Sequence, residues 1–375
     1  MRRGFALARI LAVTAACLAI AACTVAPANA GEATEPRGSI VARLVVGHLD
    51  DPAGFTFLPD GRIVYLERGT GQVHIYNPTT KSDRRFFTVP AVNGDGERGA
   101  LGVAASPTWP NPRTLWVYVT RRAGGSLENQ ILRITASGGH TTMKVLLSQP
   151  ASSDPYHNGG RILFGPDGML YAIIGDGHDS TNSQTVSAGN LRGKILRMTP
   201  EGKAPSDNPI AGSRIYAFGI RNSFGFTFVP QTGKLWETEN GPECNDELNL
   251  IVAGANYGWG PNENCQGSAP GDTNNSGPSP RVGPKLWFDS TLGITGDAFC
   301  HGCGLGPQLE GQLFFGCVND GMLRRVALNA AGDDVSGSAV EVLESPQHAI
   351  YSMETAPDGR IYFSDFQAIY RLAPA

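Results

Sequence analysis

The chain has 375 residues, of which 41% are hydrophobic and only 17% charged, and its net charge is −4. So few charged side chains exclude long solvent-facing helices, whereas 48 glycines and 26 prolines favour short strands joined by turns. The balance of charge excludes the basic footprint of a nucleic-acid-binding protein.

The first element in chain order is a targeting segment. "MRRGFALAR" supplies a positive start, and "ILAVTAACLAIAA" is an apolar core too short to cross a bilayer. It closes on "IAAC", with small residues ahead of Cys23. That is the pattern of a bacterial lipoprotein signal over residues 1–22, with Cys23 acylated after cleavage. The competing reading is ordinary secretion with cleavage after Ala30. Both put the mature protein outside the cytoplasm, and the first anchors it by lipid to the cell envelope. Residues 23–37, rich in Ala, Pro and Glu, read as a flexible tether, so the folded region is expected over 38–375.

From there a strand–turn–strand unit recurs. "FTFLPDGRIVYLER" begins at Phe55, "ILFGPDGMLYAIIGD" at Ile162 and "METAPDGRIYFSDF" at Met353. Degenerate copies begin at Leu101 and Phe226, and a weaker one, "GQLFFGCVNDGMLRRVAL", at Gly311. Asp-Gly supplies the positive φ angles of tight hairpin turns, and the flanking alternation gives each strand one buried face. Six such units of four strands fill the mature chain, which is the arithmetic of an all-β, six-bladed β-propeller with four-stranded antiparallel blades. In such a ring the loops of one face converge on the axis, so residues distant in sequence meet there.

Seven cysteines suit an oxidising compartment. Cys17 leaves with the signal and Cys23 takes lipid, so five remain. A Cys244–Cys265 bridge closes a polar loop, and Cys317 is expected to pair with Cys300 or Cys303. "CHGC" lacks a second cysteine pair at zinc spacing, so a structural disulfide with one spare thiol is the favoured reading.

Three segments depart from the repeat: "YHNGG" with the following "GDGHD", "YAFGIRNSFGF", and "ENGPECNDELNLIVAGANYGWGP" from Glu239 to Pro261. Together with "ERGALGVA" from Glu97, these motifs occur in the order that marks the soluble pyrroloquinoline-quinone-dependent sugar dehydrogenases of glucose/sorbosone type, and residues 40 to 372 resemble that family. "NGPECNDELNLI…NYGWGP" is the most specific of them. The resemblance implies a quinone and calcium on one face of the propeller. It implies that His157 is the general base that removes the anomeric hydroxyl proton of an aldose while hydride passes to the quinone C5, a task suited to an imidazole. Arg221 would stabilise developing negative charge, and Asn222 would hydrogen-bond the quinone. Gly241 and Pro242 would offer carbonyl oxygens to the cofactor's calcium, a hard Lewis acid. Asp246, Glu247 and the Tyr257 carbonyl match the ligands of a second, structural calcium.

One departure weakens the match. The family meets the quinone's three carboxylates with a lysine after the fifth repeat's strand and two arginines before the last turn. Asn319 stands in the lysine's place, and Ala349 and Tyr351 in the arginines'. Each lost charge-assisted bond is worth ~1.5–3 kcal/mol. Lys285, Arg324 and Arg325 are the candidate replacements. The expected function is therefore an extracytoplasmic aldose dehydrogenase with an unidentified electron acceptor. A non-catalytic, calcium-stabilised propeller that binds a glycan or protein is the competing reading, and the missing cations favour it. Sugar specificity is expected in the loop from Asn262 to Asp297.

Overall fold

The computed structural model describes residues 39–261 and 277–375. The leader, the tether with Cys23, and Cys265 lie outside the described residues. Six four-stranded antiparallel sheets follow one another along the chain. Blade 1 comprises Phe55–Phe57, Ile63–Leu66, Gln72–Asn77 and Ser82–Thr88; blade 2, Ala100–Ala105, Arg113–Ala123, Ser126–Ser137 and His140–Pro150. Blade 3 comprises Ile162–Phe164, Leu170–Ile174, Lys194–Met198 and Ile215–Phe218; blade 4, Ser223–Phe228, Leu235–Glu239, Asp246–Ile251 and Leu286–Phe288. Blade 5 comprises Ile294–Phe299, Gln312–Cys317, Met322–Leu328 and Val335–Glu344.

Blade 6 is assembled from both ends of the chain. Ser352–Thr355, Ile361–Ser364 and Ile369–Pro374 supply three strands, and Ile40–Val46 adds the fourth, with Ile40 opposite Pro374 and Leu44 opposite Tyr370. Backbone hydrogen bonds thus close the ring, and the apolar faces of blades 1 and 6, which an open array would leave bare, pack on each other through Phe55, Tyr65 and Ile369. The expected six-bladed propeller is the observed fold. Its turns use the glycines as anticipated: Gly61, Gly168 and Gly359 have φ of 82°, 74° and 84°.

Hydrophobic packing lies between blades. Trp116 and Tyr118 of blade 2 pack with Leu170, Ala172 and Leu196 of blade 3, and Trp236 of blade 4 packs with Leu313 and Phe315 of blade 5. Middle strands are therefore buried on both faces, and Leu170–Ile174 is buried throughout. Across the axis runs a polar strut. Arg161, on the innermost edge of blade 3, donates to Ser352 Oγ (2.7 Å), the Met353 carbonyl (2.6 Å) and Glu354 Oε1 (2.6 Å) of the opposite blade 6.

Strand order also assigns the two faces. First-to-second and third-to-fourth connections emerge at one, here called lower, and the remaining connections at the other, upper. Blade 4 has one exception. Its third-to-fourth connection climbs beside the outer strand of blade 3, through Gly254 N–H to Tyr216 O (2.6 Å), Tyr257 N–H to Phe218 O (2.9 Å) and Trp259 N–H to Gly219 O (3.0 Å). Tyr257 and Trp259 are delivered by this route to the upper face.

Two expectations are corrected. The copy placed at Gly311 is the second and third strands of blade 5, and its Asn-Asp-Gly turn is an upper-face connection; the innermost strand is Ile294–Phe299, which begins within the segment assigned to specificity and runs past its end. Turn residues occur at both ends of a blade, so an Asp-Gly pair alone does not fix the phase. The second correction concerns sulfur. Cys300 pairs with Cys303, and Cys317 is a free, buried thiol beside Arg324 Nη1. Cys244 is disulfide-bonded to a partner outside the described residues.

Arg161→Met removes the strut and leaves the Glu354 carboxylate, whose pKa burial already raises, without its cation. Breaking such a buried pair costs about 3–5 kcal/mol. Urea denaturation is expected to show that loss, and Glu354→Gln in the same chain is expected to recover a large part of it.

Candidate functional site

The segments singled out in the sequence meet on the upper face. His157, Arg221, Asn222, Gly241, Pro242 and Asp246 share one cavity of about 340 Å³, together with Glu97, His178 and Asn319. That volume is in the range that takes a small organic ligand.

His157 precedes blade 3 with φ of 59°, a left-handed conformation that non-glycine residues seldom adopt. Its N–H donates to Glu97 Oε2 (2.8 Å), and its carbonyl accepts from Gly177 N–H (3.1 Å). Gly175 lies against the same carbonyl, where a Cβ would stand 2.4 Å away. The imidazole is aimed by a group absent from the sequence expectation. His157 Nδ1 is 2.7 Å from Asp176 Oδ1, which leaves Nε2 without a protein partner among the described residues. Asp176 is itself fixed: Oδ1 accepts from His178 N–H (2.7 Å) and Oδ2 from Trp259 Nε1–H (2.7 Å). With Asp176 ionised, Nδ1 carries the proton and Nε2 presents a lone pair, the arrangement of a general base.

Arg221 sits between acidic groups. Its Nη1 donates to Asn240 O (3.0 Å), and its guanidinium carbon lies 5.3 Å from the centroid of the Trp259 ring. Nε is buried without a partner. Burial pulls its pKa below the ordinary guanidinium value, opposed by Glu239, Asp176, Glu97 and Asp246. The "GIRN" turn is held by Glu239, whose Oε1 accepts from the backbone N–H groups of Arg221 (3.2 Å) and Asn222 (2.7 Å). Asn222 is held at both ends of its amide: Nδ2 donates to Glu97 Oε2 (2.9 Å) and Oδ1 accepts from Gly159 N–H (3.3 Å).

The expected metal residues divide into two sets. Asp246 and Glu247 are neighbours on one strand and so face opposite ways. Both oxygens of Asp246 are taken by backbone N–H groups, Oδ1 by Gly241 (2.9 Å) and Oδ2 by Leu292 and Gly293 (2.7 Å each). Glu247 and Tyr257 line a separate recess of about 20 Å³, with Glu239, Gly241 and Pro242. A space of that size holds one water or one ion. Gly241 and Pro242 line both spaces, and no described N–H or O–H donates to either carbonyl. Gly241 has no room for a side chain, since a Cβ would lie 1.7 Å from Cys244 O.

Sequence reading missed the buried acids behind this recess. Glu237 Oε1, Glu239 Oε2 and Asn249 Oδ1 are buried with no hydrogen-bond donor. Burial pushes Glu237 up to about 8 and Glu239 well above the carboxylate range. Orphaned buried oxygens of this kind suit a hard divalent cation that prefers oxygen ligands.

The proposed replacement cations sit elsewhere. Lys285 reaches Asp334 (3.7 Å), and Arg324 is held by Asp320 (2.6 Å) and Glu341 (3.2 Å). Arg325 Nη1 donates to Gln312 Oε1 (2.5 Å). None of the three lines either upper-face space. An axial cavity of about 230 Å³, which shares Glu97, Phe224 and Val318 with the walls of the first, is lined instead by Arg68, Arg161 and Tyr351. Ala349 is buried.

Comparison with known proteins gives a consistent neighbourhood. A family model described as Glucose / Sorbosone dehydrogenase matches residues 49–369. Aldose sugar dehydrogenase YliI of Escherichia coli is 26% identical, over 84% of this chain and 86% of its own length. Quinoprotein glucose dehydrogenase B of Acinetobacter calcoaceticus is 32% identical over 58% of this chain, and the match spans about half of that relative, 52%. Among solved structures, the PQQ-bound form of aldose sugar dehydrogenase from Streptomyces coelicolor superposes with a TM-score of 0.75 at 28% identity, covering 90% of this chain and 99% of that one.

The raised acids make a pH prediction. A carboxyl whose folded pKa is near 8, against about 4.3 when unfolded, favours folding fully below the unfolded value and loses that contribution as pH rises toward 8. Metal-free protein is therefore expected to melt at falling temperature between pH 5 and pH 8. Calcium should abolish the fall. Thermal midpoints with and without chelator across this range test it, and a flat, calcium-independent profile contradicts it.

Proposed function

This chain belongs to the Glucose / Sorbosone dehydrogenase family, and we propose that it is a quinoprotein oxidoreductase that oxidises an aldose at the anomeric carbon with pyrroloquinoline quinone and calcium. The observation that carries this reading is the pairing of His157 with Asp176 in the wall of the cavity that Arg221 also lines. A base with its tautomer fixed beside a permanent cation is what proton removal from a hydroxyl coupled to hydride departure requires.

The residues divide the work as follows. Asp176 holds Nδ1–H and thereby keeps Nε2 of His157 free to accept the anomeric hydroxyl proton. Trp259 and the His178 N–H keep Asp176 from rotating. Arg221, braced on Asn240 O and Trp259, supplies positive charge at the cavity wall. Glu97 locks the His157 backbone to the Asn222 side chain, so base and cation keep their spacing. When bound, the quinone supplies a two-electron acceptor and calcium a Lewis acid. The carbonyls of Gly241 and Pro242 are the proposed ligands of that calcium, with Asp246 fixing the Gly241 N–H. Glu247 and the Tyr257 carbonyl are the proposed ligands of a second ion in the small recess, supported by the orphaned oxygens of Glu237 and Glu239. The protein is proposed to act outside the cytoplasm, anchored through lipid on Cys23.

Binding of the quinone without the three family cations is the demanding part of this reading. Calorimetric titration with quinone and calcium is expected to give saturable binding, and its absence at micromolar quinone rejects the cofactor and favours a binding propeller. His157→Ala is expected to abolish quinone-dependent dye reduction and leave the melting curve unchanged. Asp176→Asn is expected to lower kcat by about 10²–10⁴-fold while quinone affinity is retained, the size of a misplaced general base. Equal loss of binding and turnover would instead assign Asp176 to the architecture of the pocket.

A further inference from the structure

The lower face, opposite the candidate active site, carries a recess of different chemistry. A cleft of about 560 Å³ lies between blades 1 and 2 and is lined by Arg62, Arg84, Arg85, Arg113 and His140, with no carboxylate among its lining residues. These residues belong to first-to-second and third-to-fourth connections or to the strands that start from them, which is why they gather on this side.

The cations are largely uncompensated. Among the described residues, Arg62 alone of the five has a close counter-ion, Asp60, at 2.7 Å. Arg85 donates to the neutral Gln72 Oε1 (3.3 Å), and Arg84 has no ion-pair partner among the described residues. The nearest carboxylate in sequence, Asp83, is occupied by Tyr65 Oη–H (2.5 Å) and His74 Nδ1 (3.2 Å). Arg113 is positioned by stacking: its guanidinium carbon lies 5.6 Å from the Trp109 ring centroid, and Trp109 packs on Phe86 at 5.8 Å. Guanidinium groups gathered in this way repel one another, and among the described residues Asp60, on Arg62, is the one carboxylate paired with them. In a chain of net charge −4 the concentration is local and directed.

We propose that this cleft binds a phosphate ester, supplied by the headgroup of an anionic phospholipid. Guanidinium forks match the oxygens of phosphate in pairs, and the space exceeds that of a single inorganic ion. The lipid source is favoured by where the chain enters the ring. Ser39 O accepts from Ala375 N–H (3.1 Å) and Ile40 lies opposite Pro374, so the N-terminal end of the propeller joins at this same lower face. A membrane engaged by the cleft would leave the cavity with His157 and Arg221 facing away from the lipid, open to substrate. The inference does not depend on the proposed dehydrogenase activity.

The test uses the chain from Glu35 onward, a compact unit that contains every strand of the closed ring. Its binding to glycerol 3-phosphate is measured by calorimetry, and its capture by vesicles of phosphatidylglycerol or of phosphatidylcholine by flotation. Expected are saturable binding of glycerol 3-phosphate and capture by phosphatidylglycerol alone. Both should fall at least tenfold in Arg84→Glu/Arg113→Glu and weaken as salt shortens the screening length. Arg84→Gln, exposed and unpaired, is a milder variant should the double change disturb folding, which circular dichroism reports. Glycerol 3-phosphate binding without vesicle capture overturns the lipid source. Failure of both ligands, or unaltered binding by the variants, overturns the site.

Discussion

Closure of the ring by Ile40–Val46 against Ile369–Pro374 is the constraint on which everything else depends. A blade taken alone has two apolar faces and cannot bury both. Stacked in a closed circle, each blade uses its neighbours as core, and the packing density of those interfaces fixes the angle between successive blades. Upper-face loops then have no freedom to separate. His157 leaves blade 2, Arg221 leaves blade 3 and Gly241 turns within blade 4, yet all three line one cavity because the axis is common to them.

Within that frame the site is organised by carboxylates whose oxygens are taken by N–H groups of the protein. Glu97, Asp176, Glu239 and Asp246 each accept from two or more N–H donors, at least one of them outside the acid's own loop. An ionised carboxylate offers several lone pairs, and charge-assisted bonds are the strong ones, so each acid ties two loops more firmly than a neutral side chain would. The density of acids in these segments is thus a device for positioning backbone. Beside the small recess, the oxygens of Glu237 and Glu239 left without donors point to a cation.

The fold was legible because turn chemistry and strand alternation recur, and a recurring unit of that length has few architectures open to it. The phase of blade 5 was not, since "NDG" at Asn319 makes an upper-face turn with the same residues that make lower-face turns elsewhere. His157 and Arg221 were legible through their motifs. Asp176 was quoted in "GDGHD" but could not be assigned, because its role depends on His157 and on Trp259, which is carried to it by the climb beside blade 3. Likewise, adjacency in "NDEL" grouped Asp246 with Glu247, whereas strand pleating sends them to different spaces. Sequence spacing reports which residues share an element; it does not report which side of a sheet they serve.

The electrostatics of the upper face bear on how an anionic quinone can be held. Glu97, Asp176, Glu239 and Asp246 surround Arg221, and each raises the guanidinium's preference for its charge. Arg68 on the axial side is already bound to Asp51 (2.6 Å) and to the carbonyls of Gly94 (3.0 Å) and Arg98 (2.9 Å). With Asn319 and Tyr351 lining these spaces, the walls alone do not present the positive surface that three carboxylates need. A divalent cation on the Gly241 and Pro242 carbonyls would change the sign of the local field at the point where the acids make it most negative. On the proposed reading metal and quinone would then be thermodynamically linked: each would bind more tightly with the other present, and by the same factor.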